Sequence, residues 1–76
     1  MNNLFLVRAE QWLTELGIHT QAASTCLMVN RLDVDNFTAS GQQANRDEII
    51  GALRETISPK LHWGYVNNEW LYLESF

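Results

Sequence analysis

Residues 20–37, TQAASTCLMVNRLDVDNF, space their apolar and small side chains in a way few backbones accommodate. Ala23, Leu27, Val29, Val34 and Phe37 take the inward positions of two short helices meeting at a tight corner. Ser24 stands where only a small side chain lets those helices touch. Asn30, a good capping residue, opens the second helix of the pair directly after the corner. The spacing therefore predicts a helix over 21–27, capped by Thr20, and a helix over 31–39, stopped by Gly41. A strand is the competing reading of 25–34, because Cys26, Met28, Leu32 and Val34 share one parity. Asn30 breaks that alternation, and Asp33, Asp35 and Asn36 would continue it with unusually polar residues.

On either side of this segment the helical period is plain. Phe5, Ala9, Trp12, Leu13 and Leu16 form one apolar stripe, while Arg8, Glu10, Gln11 and Glu15 take the opposite face. Asn2 or Asn3 caps this helix, and Gly17 follows it where a left-handed stop is favoured. After a loop over 41–44, Asn45 with Glu48 three residues on has the form of a capping box. The helix it opens presents Ile49, Ile50, Leu53 and Ile57 to the core, and Pro59 prevents its continuation. The period then changes to two. Stretches 61–66 and 69–74 flank Asn67-Asn68, a pair suited to a two-residue turn. That turn pairs Val66 with Glu69, Tyr65 with Trp70, and Trp63 with Tyr72. Four aromatics then share one face, and Gly64, Val66, Leu71 and Leu73 the other. The expected fold is mainly α: four helices over 1–58, then a two-stranded β-hairpin over 61–74, within a single helix-turn-helix domain spanning 1–76.

At 76 residues the chain buries a modest fraction of its surface and gains from dimerisation. The hairpin is apolar on both faces, so one face is expected on the helices. The other then meets a partner chain, a ligand or, with the hairpin as a wing, DNA backbone. Trp63, Tyr65, Trp70, Leu71, Tyr72 and Leu73 are the expected dimer interface. The single cysteine, Cys26, cannot form an internal disulfide and lies within the apolar pattern, which fits a reducing cytoplasm. No secretion-signal pattern is visible, and no apolar run approaches the ~20 residues of a membrane-spanning helix. His19 and His62 lack acidic or cysteine partners at ligand spacing, so no metal or other cofactor is expected. There is no Gly-rich phosphate loop and no catalytic motif, and the chain reads as a non-enzyme.

The segment resembles the helix-turn-helix of Cro and phage-repressor regulators. The resemblance covers about 18–22 residues and is carried by Thr20, Gln21, Ala23, Ser24, Leu27, Val29, Asn30, Arg31, Val34, Asn36, Phe37 and Gly41. The corner position, usually Gly in that family, is Met28 here. The terminal hairpin is also similar to the C-terminal strands through which small Cro proteins dimerise. The resemblance implies a cytoplasmic homodimer that binds double-stranded operator DNA and regulates transcription, with one recognition helix per half-site. Carried over by position, Gln21 touches phosphate, Asn30, Arg31 and Leu32 face base edges, and Asp35 and Asn36 lie one turn on, within reach of the groove. Arg31 would fork onto guanine and Asn36 onto adenine.

Charge motivates a second reading. The chain carries five Lys and Arg against nine Asp and Glu, a net charge of -4, whereas DNA affinity comes largely from cations that displace counterions. Asp33 and Asp35 lie on the very helix that would meet the polyanion. The alternative is an acidic protein-binding module on the same scaffold, such as a phage-encoded inhibitor of a host defence or nucleic-acid enzyme.

Overall fold

A computed structural model describes residues 3–39, 42–43 and 46–76. In chain order its elements are α1 (Leu4–Glu15), β1 (Thr20–Ala22), β2 (Leu27–Asn30), α2 (Arg31–Asn36), β3 (Thr38–Ala39), β4 (Gln42–Gln43), α3 (Arg46–Thr56), β5 (Leu61–Tyr65) and β6 (Trp70–Ser75). β1, β2, β6 and β5 form a four-stranded sheet in that spatial order, antiparallel throughout, and β3 pairs separately with β4. The architecture is α+β, with helices on one face of the sheet.

The expected four-helix, helix-turn-helix fold is therefore corrected. Residues 20–30 are a β-hairpin, not a helix and a corner. Thr20 pairs with Val29 in the ladder instead of capping a helix. Ser24 lies in the hairpin turn, and Met28 stands mid-strand between Gln21 and Tyr72. Tertiary pairing decides this: β2 is held on both edges, by β1 and by β6, and that gain overrides the weak local preference of so short a segment. The helix expected over 31–39 ends at Asn36, and Thr38–Ala39 pairs with Gln42–Gln43 instead. The capping-box residue Asn45 and the stop Gly41 lie outside the described residues.

The outer helices form for the reasons their sequences give. The Asn3 side chain accepts the Phe5 and Leu6 amides at 2.9 and 3.2 Å. Gly17 takes φ +82 just past the α1 terminus, as a left-handed stop requires. α1 buries Leu6, Ala9 and Leu13, and α3 buries Ile49, Ile50 and Leu53. Both join Leu27, Val29, Leu61, Leu71 and Leu73 of the sheet, with Val34 of α2 and Ile18, in one core. Phe5, Trp12, Leu16, Phe37, Ile57 and Trp63 pack around it.

The C-terminal hairpin is present, one residue out of the expected register. Trp63 pairs with Leu73, and Tyr65 with Leu71. The turn widens: the Val66 and Asn67 amides both donate to the Trp70 carbonyl, and the Asn67 side chain accepts the Glu69 and Trp70 amides. The slip has a clear cause. It puts Leu61, Trp63, Leu71 and Leu73 on one face, together with Leu27 and Val29, so every large aliphatic of the sheet reaches the core.

Gly64 faces Tyr72 across the hairpin, and a Cβ there would collide with the Tyr72 ring at Cζ, Cε1 and the hydroxyl. The phenol thus occupies the space that a Cβ at position 64 would need. Gly64→Ala is expected to expel the ring and cost about 1 kcal/mol. In a Tyr72→Ala background the same change is expected to stabilise by about 0.5–1 kcal/mol, because a strand glycine carries an entropic cost. Urea unfolding of the four proteins in this cycle measures the reversal; equal effects in both backgrounds would refute it.

Candidate functional site

Two surfaces carry most of the candidate residues: the polar face of α2 and the side of the sheet turned away from the helices. On α2, the Asn30 side chain accepts the Asp33 amide at 3.0 Å, the cap expected from sequence. Arg31 remains in the ladder through its own amide, which donates to the Glu69 carbonyl at 2.9 Å. Its guanidinium donates from Nε to the Asn68 carbonyl and from Nη1 to Asp35 at 3.0 Å. Arg46, at the start of α3, grips the same carboxylate with two bonds of 2.8 and 3.0 Å. Asp35 is thus the joint between α2, α3 and the β5–β6 turn. Its carboxyl is held below the ordinary carboxylate range, chiefly by the Arg46 hydrogen bond, with Arg31 adding to it.

Asp33 plays a comparable part at the other end. It accepts the His19 backbone amide at 2.9 Å and lies 2.6 Å from the His19 ring. The amide bond first, then the ring, lower its pKa. Shallow depressions flank this pair, one lined by Thr14, Gly17, Ile18, His19 and Thr20, the other by Leu16, Gly17, Ile18, Asp33, Asn36 and Phe37. Among the described residues no group of three His, Cys, Asp or Glu side chains converges as a metal site. Nor is any described helix long and apolar enough to cross a membrane.

The structure spreads the six residues expected to read DNA over β1, the end of β2 and α2. Gln21 is exposed on the edge strand β1, on the same side of the sheet as Asn30. Asn30 serves as a cap, and Arg31 and Asp35 are bonded to each other. Leu32 and Asn36 are exposed on α2, and Asn36 has an interaction of its own. Sequence reasoning missed Arg46 and His19 as partners of this helix. The i,i+4 spacing of Arg31 and Asp35 was the one local signal that their charges cancel.

The expected dimer residues divide between the two sides of the sheet. Leu71 and Leu73 are claimed by the core, 2% and 0% exposed, and offer nothing to a partner. Trp63 is half-buried against that core, and Tyr65 is exposed beside it. Trp70 and Tyr72 point the other way. Register places Gln21, Met28, Tyr72 and Gly64 in one row across all four strands on that far side, with Asn30 and Trp70 in the next row. Among the described residues none of the fully buried side chains belongs to this side, where Met28, Trp70 and Tyr72 are half-buried. At its lower corner the His62 ring stacks on Phe76, centroids 4.2 Å apart, with Nε2 3.4 Å from Glu74.

No family model, curated protein or solved structure matches this chain.

Proposed function

We propose that this chain is a protein-binding module that meets its partner with the open side of its four-stranded sheet. The observation that carries the reading is the one-sided packing of that sheet: among the described residues no core side chain lies on the side that bears Met28 and Tyr72 in one row and Trp70 in the next. Methionine and aromatic side chains are the types enriched where proteins meet. The net charge of -4 favours a partner whose contact surface is apolar at its centre and basic at its rim.

The regulator reading draws on the 20–37 resemblance. Against it weighs the engagement of both Arg31 and Arg46 with Asp35, which leaves the rest of the surface more negative than the whole. A groove reader needs its guanidinium groups for guanine and phosphate.

The experiment is affinity capture with wild type, Met28→Glu and Leu32→Glu, alongside anisotropy of labelled duplex DNA at two salt concentrations. The module reading expects a protein retained by wild type and Leu32→Glu and lost by Met28→Glu. Sequence-selective, salt-sensitive DNA binding that Leu32→Glu abolishes and Met28→Glu preserves would replace it with the regulator reading.

A further inference from the structure

The backbone hydrogen-bonding pattern of β5 specifies a partner of its own. The Val66 amide donates to the Trp70 carbonyl at 3.2 Å, and the Phe76 amide to the Lys60 carbonyl at 3.1 Å. Even-numbered positions of this strand therefore address β6, and Leu61, Trp63 and Tyr65 turn their N–H and C=O groups to the open edge. Leu61 is already engaged: its amide donates to the Ser58 carbonyl at 3.2 Å, and its carbonyl accepts from Arg54 Nε at 2.7 Å. Among the described residues Trp63 and Tyr65 have no such partners for their outward groups.

We propose that the outward N–H and C=O groups of Trp63 and Tyr65 pair with those of a second copy of this chain, in an antiparallel β5–β5 contact whose two-fold axis passes at Gly64. In that register Trp63 lies opposite Tyr65 of the second copy, the pair exchanges both N–H···O bonds, and the axis makes the pair twice. A register centred on Trp63 makes its bonded pair once only and sets Tyr65 against Leu61, whose groups are taken. The contact joins two sheets into one and satisfies every free group on the edge.

Three further features favour a second copy as occupant. The segment 61–66, LHWGYV, holds no Asp, Glu, Lys or Arg, so two chains of net charge -4 meet there without like charges opposed. Gly64 at the axis admits the closest approach, and the Tyr72 ring that covers it would meet its counterpart over the axis. The opposite edge, β1, is three residues long, too short to compete. Because the β5 contact is with itself, it closes as a dimer and does not propagate.

Sedimentation equilibrium of the full chain from micromolar to millimolar concentration tests this, together with amide hydrogen exchange. The mass is expected to double as concentration rises, and the Trp63 and Tyr65 amides to slow by about tenfold or more in the same range. Tyr65→Pro removes an outward donor without touching the β5–β6 ladder and is expected to stay monomeric with an intact fold. Tyr65→Ala keeps the donor and should still dimerise, more weakly. A monomer at every concentration overturns the proposal, as does a Tyr65→Pro dimer as tight as wild type. Should Tyr65→Pro not fold, wild-type exchange decides: Trp63 and Tyr65 amides that exchange freely in the dimer refute the β5 edge. Neither variant alters Met28, Tyr72 or Trp70, so failure of this inference and failure of the module reading are distinguished.

Discussion

Leu73→Ala is expected to lower the stability of this chain by about 2–5 kcal/mol, with a fall in melting temperature on the order of 10 °C or more. Leu73 is fully buried and lies between Leu27 on β2 and Trp63 on β5, at the centre of the sheet's packed side. Shortening it leaves a cavity under α1 and α3 that a sheet held on both edges closes poorly. A domain of this length has roughly 4–11 kcal/mol in total, so the variant is expected to be partly unfolded near 37 °C. Leu32→Ala, at an exposed α2 position, should change stability by less than about 0.5 kcal/mol. Thermal and urea unfolding at several protein concentrations separates the core role from an interface role. A core role gives the same loss at every concentration. A loss that shrinks on dilution would place Leu73 between chains.

The contrast between Leu73 and Leu32 also shows how far the sequence could be read. α1 and α3 were legible because their signals are local: a period near 3.6, the Asn3 cap, and Gly17 as a stop. The change of period after Pro59 correctly marked β5 and β6. Segment 20–30 was misread because Ala23 and Leu27 fit a helix as well as a strand, and β1 is short and mostly exposed. The alternation that matters, Leu27 and Val29 inward with Met28 and Asn30 outward, spans four residues and acquires meaning only from β6, some forty positions later. The hairpin register failed for a related reason. Asn67-Asn68 suits a two-residue turn, but the demand that Leu61, Leu71 and Leu73 join Leu27 and Val29 outweighs turn preference. At α2, the Asn30 cap and the Arg31–Asp35 spacing are local and readable. The grips of Arg46 on Asp35 and of His19 on Asp33 span eleven and fourteen residues, and only the fold brings them together.

Asp35→Asn is expected to cost about 1 kcal/mol: a charge-assisted pair contributes roughly 1.5–3, reduced here because about a third of each side chain remains in water. The melting temperature should then fall by about 4–8 °C. Acid should do to wild type what the substitution does at neutral pH. The folded pKa of Asp35 and of Asp33 lies below the unfolded value near 3.8. Their stabilisation is therefore complete above that value and is lost as pH falls through the lowered folded values. Asp35→Asn should flatten this acid limb in part, leaving the share due to Asp33, and raised salt should narrow the gap between the two proteins. A variant whose acid limb matches wild type would show that Asp35 bears none of it. The same substitution weighs the two functions against each other. It frees Arg31 and Arg46 beside α2 and removes one negative charge, so a chain that reads DNA should bind duplex more tightly in low salt, with a steeper salt dependence. A module that works through Met28, Tyr72 and Trp70 should hold its partner unchanged, because Asp35 lies on α2, off the strands that carry that row.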